Sequence, residues 1–214
     1  MKINCKIFTF NPLGVNCSII WDGETHDAAI VDCSARTERE FAQIEEFVET
    51  EKLQLRMALQ THTHFDHVYG LPKLYEKYGL RPSYHSTEEP IYDYAALMAS
   101  SINLPIQGAL PSPAAYLTDG QELKVGDILI RVVFTPGHTP GGLCFYLPEN
   151  HQLFSGDTLF YGSMGRTDLP GGNQDDLIRS IRERLFSLPE ETSVVPGHGG
   201  LTEIGWERLH NPFV

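Results

Sequence analysis

The chain lacks most of what would place it outside the globular enzymes. Its four cysteines, Cys5, Cys17, Cys33 and Cys144, are far apart and form no C-x-x-C pair, which excludes a zinc knuckle or a redox dithiol. Three of them fall in apolar strand-like segments and read as small buried hydrophobes, and a reducing cytoplasm is the compartment this predicts. No apolar run reaches the roughly 20 residues of a membrane span. The N-terminal Met1-Lys2-Ile3-Asn4-Cys5-Lys6 has neither the apolar stretch nor the cleavage site of a signal peptide, so it reads as mature sequence. Basic residues are scarce: 16 Lys and Arg against 28 Asp and Glu leave a net charge of -12, which argues against nucleic acid or anionic lipid as a partner.

What remains is ordinary globular composition, 41% hydrophobic over 214 residues, enough for one domain spanning residues 1–214. Strand-like stretches run from Ile3 to Phe10, Val15 to Trp21 and Ala28 to Asp32, broken by turn signals at Asn11-Pro12-Leu13-Gly14 and Asp22-Gly23. Thr37-x-x-Glu40 is a capping box, and Phe41, Ile44, Phe47 and Val48 at helical spacing predict an amphipathic helix to about Lys52. A strand from Leu55 to Gln60 follows, and Val68, Leu71, Leu74 and Tyr75 predict a helix beyond it. Residues 80–116, with a helix from Glu88 to Ser101 and a Pro/Gly-rich stretch, read as an irregular insertion. The second half predicts strands at Glu122 to Val125, Ile128 to Thr135, Leu143 to Leu147, Gln152 to Phe154 and Ser193 to Val195, and a helix from Gln174 to Phe186 with Asn173 as its N-cap. Strand-rich halves that each bring helices suggest packed sheets with helices outside.

Between the Leu55 strand and the next helix lies His62-Thr63-His64-Phe65-Asp66-His67. Imidazoles and carboxylates stay buried only when paired, hydrogen-bonded or metal-bound, so this density is hard to explain as packing. In an extended segment His62 and His64 project to one side, and a turn into the following helix would swing Asp66 and His67 toward a neighbouring position, so that one motif could serve two ions. Nitrogen with carboxylate oxygen suits zinc or iron better than magnesium or calcium. Three further candidates share one context, an apolar strand, a glycine and a turn: His138, Asp157 and His198.

The ordered set His62-x-His64-x-Asp66-His67, His138, Asp157 and His198 resembles the metallo-β-lactamase superfamily over nearly the whole chain. The resemblance implies an α+β fold, an αββα sandwich of two mixed sheets with outer helices. It also implies two divalent ions, zinc in the first place and iron as the other choice. His62, His64 and His138 would hold one, Asp66, His67 and His198 the other, with Asp157 between them. His67 stands where the antibiotic-hydrolysing branch usually has another residue, which turns the expectation away from lactams. Ser155-Gly156-Asp157-Thr158-Leu159-Phe160 is similar to glyoxalase II, hydroxyacylglutathione hydrolase. That likeness implies a small thioester substrate, opened by a hydroxide bridging the two ions, with Asp66 or Asp157 handling its proton. Two departures stand out: the chain ends about 16 residues after His198, short of that family's glutathione-binding helical region, and Arg166 and Asp168 occupy the loop where the family has lysine and tyrosine. Compact bacterial members resemble the chain better. Arg166, Tyr161 and Tyr92 are the candidate substrate contacts, and Tyr94, Leu97 and Met98 of the Glu88–Ser101 helix are further candidates, although packing of that helix face on the core is the simpler reading.

Two other functions fit the same residues. The Gly165-Arg166-Thr167-Asp168 loop is also similar to that of the persulfide dioxygenases, which implies one iron on His62, His138 and Asp157. A purely structural metal in a non-catalytic domain is the third, disfavoured because closed structural zinc sites usually use cysteine. Spacing leaves the oligomeric state open.

Overall fold

Alternation along the first strands decides how they are buried. β1 (Ile3–Phe10), β2 (Val15–Asp22) and β3 (Asp27–Val31) form an antiparallel meander in the computed structural model, which describes residues 2–214. Successive residues face opposite sides of a sheet: Cys17, Ile19, Ala28 and Ile30 enter one buried cluster, while Ile20, Ala29 and Val31 enter another. Both faces are apolar because both are covered.

The outer cover of this sheet begins with α1 (Glu38–Thr50), whose capping box is formed as the Thr37–Glu40 spacing predicts and whose Phe41, Ile44 and Val48 are buried. β4 (Gln54–Leu59) then joins β3 in parallel. α2 (Leu71–Tyr78) starts only after a run of turns, so Asp66 and His67 sit in a loop stiffened by bonds such as His67 N–H to His64 C=O at 3.0 Å. β5 (Pro82–Tyr84), α3 (Glu89–Ser101) and β6 (Ala115–Tyr116) follow. Segment 80–116 is thus less of an insertion than its composition suggests: β5 and β6 extend the sheet in parallel, giving the order β1-β2-β3-β4-β5-β6. Two strands of three and two residues, one opening on proline, leave too little alternation to read from sequence.

The other sheet comprises β7 (Glu122–Val125), β8 (Ile128–Phe134), β9 (Leu143–Leu147) and β10 (Gln152–Gly156). A small hairpin of β11 (Leu159–Phe160) and β12 (Ser163–Met164) intervenes before α4 (Gln174–Arg179), capped by Asn173 as expected. α4 continues as a π-helical turn over Ser180–Leu185, and β13 (Ser193–Pro196), β14 (Thr202–Glu203) and α5 (Ile204–His210) complete the chain. The sheet order is β14-β13-β10-β9-β8-β7, with β10 and β13 parallel. Leu143, Phe145 and Leu147 point between the sheets, whereas Cys144 and Tyr146 pack outward with Leu177, Ile181 and Ile204. Helix, sheet, sheet, helix is therefore the layer order, the expected αββα sandwich.

The two sheets are stitched together at one end. Asn16 N–H donates to Gly197 C=O at 2.7 Å, the Asn16 side chain donates to Pro196 and Gly199 carbonyls, and Leu143 N–H donates to Thr61 C=O. That end collects the loops that follow β4, β8, β10 and β13. Among the described residues no helix is long and apolar enough to cross a membrane.

Candidate metal centre

Each of those four loops delivers part of one cluster. His62 and His64 follow β4, His138 follows β8, Asp157 follows β10 and His198 follows β13, while the turn after His64 brings in Asp66 and His67. Donor atoms of His62, His64 and His138 lie within 4.8 Å of one another, as do those of His62, His67 and Asp157 and those of Asp66, His67 and His198. All seven predicted ligands therefore converge, and Asp157 lies between the outer groups: its Oδ2 is 3.5 Å from the Nε2 atoms of both His138 and His198.

Acceptor-only partners assign the tautomers. His138 Nδ1 lies 2.7 Å from the Arg166 carbonyl and His198 Nδ1 lies 2.9 Å from the Leu13 carbonyl, so each Nδ1 carries the proton. His67 Nδ1 meets Asp32 Oδ2 at 3.0 Å. Thr61 Oγ1 donates to the same oxygen at 2.7 Å, so it must accept from His62 Nδ1, 3.1 Å away. Each of these four imidazoles thus turns its Nε2 into the cluster. His64 presents Nδ1 instead, 2.9 Å from His138 Nε2, a nitrogen pair bridged in the metal-free protein by one shared proton that metal binding would replace. Buried His62 Nε2 and Asp157 Oδ1 have no hydrogen-bond partner, which costs free energy unless an ion is bound. The donor set fits divalent metal.

Charge follows from the same neighbours. Burial pushes His62 well below the ordinary histidine range, reinforced by His67 and the other imidazoles, and burial with His138 holds His64 at about 4. Burial also disfavours charge on His67, but Asp157, Asp66 and Asp32 outweigh it and raise its pKa well above 6.5. His198 is raised against burial by Asp66 and Asp157. Asp66 and Asp157 are lowered although burial opposes it, because His67 and its neighbours favour the carboxylates.

Two buried carboxylates with no place in the histidine pattern organise this centre. Asp32 accepts from His67, Thr61 Oγ1 and Thr61 N–H, thereby orienting His67 directly and His62 through Thr61. Glu88 accepts from Thr63 N–H and Gly141 N–H, both at 2.8 Å, tying the His62–His67 loop to the loop that carries His138. An aspartate closing a buried strand was the only sequence signal for Asp32. Glu88 is indistinguishable in sequence from any acidic residue ahead of a helix.

The cluster forms the floor of a cleft of about 780 Å³. Arg166 lines it, with its guanidinium bound in a fork by the Asp168 carboxylate at 2.7 Å on each side, and that pairing holds Asp168 at about 2. Tyr94 and Met98 line it too. Tyr92 does not: it is buried, and its hydroxyl donates to the Pro111 carbonyl, so it is a core residue and not a substrate contact. Tyr161 is also displaced from the cleft, exposed and stacked on Trp206 at 4.5 Å. Leu97 faces solvent outside it.

Comparison with known proteins agrees with this geometry. The profile of the Metallo-beta-lactamase superfamily matches residues 10–198. The hydroxyacylglutathione hydrolase GloC of Haemophilus influenzae is 36% identical over 214 residues, 99% of this chain and 98% of its own length. A solved structure of TTHA1623 in a di-iron-bound form superimposes with a TM-score of 0.87 at 39% identity, covering 98% of this chain and 100% of that one. A B3 metallo-beta-lactamase, BLEG-1, superimposes with a TM-score of 0.88 at 33% identity over 98% of this chain and 99% of its own. From the profile match, the whole-length relatives and the seven converging donors alike, the chain belongs to the metallo-β-lactamase superfamily.

Proposed function

We propose that the protein hydrolyses a thioester of the S-acylglutathione type at a centre of two divalent ions, preferably zinc. The observation that supports this reading is the sharing of His62 and His67 among three overlapping donor sets, which offers room for two adjacent ions. His62, His64 and His138 would hold the first ion, Asp66, His67 and His198 the other, with Asp157 between. Two ions in such a centre lower the pKa of a water toward neutrality and polarise an acyl oxygen.

The chain's own groups do the rest. Asp66 and Asp157 remain carboxylates and sit among the ion positions, so either can orient the attacking water and accept its proton. The new C–O bond forms as the C–S bond breaks, and the departing thiolate, with a pKa near about 8.5 for an ordinary thiol, needs no strong acid to leave. The activity by which the Haemophilus influenzae relative is named, hydroxyacylglutathione hydrolysis, supports this substrate class.

A dioxygenase with one iron on His62, His138 and Asp157 would leave Asp66, His67 and His198 without a task, yet those three form a complete donor set. The likeness to BLEG-1, named as a B3 metallo-beta-lactamase, makes a lactam the competing substrate to assay, although His67 speaks against it. Metal quantification on purified protein, followed by parallel assays with S-lactoylglutathione, glutathione persulfide and a chromogenic cephalosporin, tests the reading. Two equivalents of zinc with thioester turnover are expected; one iron with oxygen uptake, or turnover of the cephalosporin alone, overturns it.

A further inference from the structure

The wall of the cleft has its own periodicity. Ile91, Tyr94, Ala95, Met98 and Ile102 line it, at spacings of three, one, three and four residues, a single stripe along α3 and its C-cap. Helical apolar stripes normally meet a core, and α3 does bury Tyr92, Ala95 and Ala99 that way, Ala95 at the seam between core and cleft. The rest of the cleft stripe instead stays partly in water, with Tyr94 52% and Ile102 44% exposed. It is also locked in relation to the metal floor, because Glu88, at the start of α3, bonds the loops of His64 and His138.

Apart from the ions its floor would hold, the cleft is poor in cationic side chains. Arg166 is the one lysine or arginine lining the cleft among the described residues, and both of its forked bonds go to Asp168. A substrate arm carrying carboxylates or phosphates would find an apolar stripe and a guanidinium already neutralised. An uncharged hydrocarbon arm finds surface to bury.

We propose that the acyl arm of the substrate is apolar, an aliphatic chain or an aryl group, and lies along the α3 stripe. The thioester reading supplies the identity of the broken bond; the apolar arm rests on the wall itself. Water adds to the carbonyl carbon, the C–S bond breaks, and a fatty or aryl carboxylate and a free thiol leave, with one proton released. The polar thiol portion, common to glutathione and pantetheine carriers alike, is left to the other walls and to solvent.

Two measurements on the metal-loaded protein test this. In a series of S-acylglutathiones from acetyl to octanoyl, kcat/KM should climb by about two- to fourfold per added methylene, the range set by burying one methylene, and then level off. Met98→Asp should lower the octanoyl-to-lactoyl ratio of kcat/KM by at least tenfold. Separately, the non-hydrolysable thioether S-octylglutathione should bind at least tenfold more tightly than S-methylglutathione and shift the Met98 methyl resonance, with or without metal. Turnover of S-lactoylglutathione with a flat or falling chain-length profile and equal binding of the two thioethers overturns the apolar arm while leaving thioester hydrolysis standing. No turnover of any thioester, with octyl still preferred in binding, overturns thioester hydrolysis and leaves the apolar arm.

Discussion

Asp32 is the residue whose removal should be most informative. Its φ of 51° is left-handed, a conformation asparagine also tolerates, so Asp32→Asn changes charge and acceptor capacity with little backbone cost. It removes the anionic partner of His67 and loosens Thr61, which holds His62. Metal affinity should fall by about 10- to 100-fold, as when outer partners of metal-bound histidines are lost, measured by competition with a chromogenic chelator; unchanged affinity would mean Asp32 serves only the fold. The imidazoles should also differ in what they release. In the metal-free protein His67 and His198 have raised pKa values, so their protons stabilise the fold below pH 6.5, and that contribution is lost as pH rises through the raised values. His62 and His64 are lowered and hold no such proton at about pH 7. Metal uptake at about pH 7 should therefore expel protons and strengthen with rising pH, which calorimetry in buffers of different ionisation enthalpy reads directly; zero release would contradict the assignment of protonated His67.

The end of β10, where the chain turns toward Asp157, is built with little room. Gly156 has a φ of 49°, and a Cβ there would overlap the Thr61 side chain that bridges Asp32 to His62. Gly156→Ala should lower both Tm and metal affinity. Gly79→Ala is the control: its φ is 68°, but a Cβ meets nothing within 4 Å, so it should cost only about 1–2 kcal/mol of backbone strain and leave metal affinity unchanged. Equal losses of affinity in both would mean the crowding at Gly156 is irrelevant to the centre. The long elements were legible from pattern: α1 repeats at helical spacing, β8 partly alternates, and β2, β3 and β9 are apolar runs buried on both faces between turn signals. β5, β6, the β11–β12 hairpin and α5 were not, since pieces of two to seven residues carry too little pattern and owe their form to neighbours. The helix expected from Gln174 to Phe186 is continuous but changes to π-helical winding at Ser180, whose hydroxyl donates to the Pro136 carbonyl in the loop leading to His138; no helical periodicity announces that contact.

At the scale of the whole molecule, three apolar clusters, one between the sheets and one under each helical layer, hold the sandwich independently of any ion. Chelation should therefore abolish activity and lower Tm, while circular dichroism keeps its folded signature; at metal concentrations of about 1,000 times Kd the stabilisation lost would be about 4 kcal/mol. Unfolding on chelation would assign the metals a structural role instead. The seven donors were readable in the chain because few physical reasons other than metal binding concentrate three histidines and an aspartate in six residues. Their chemistry set the class of ion, and the periodicity of the long strands and helices indicated layered sheets. Which nitrogen of each histidine enters the cluster, that Asp32 and Glu88 lock the loops, that Tyr92 and Tyr161 turn away from the cleft and that α3 lends it an apolar wall were decided only in three dimensions. Those properties depend on contacts between residues up to 185 positions apart, as between His198 and Leu13, and spacing along a chain carries no information about which distant backbone will lie against a given side chain.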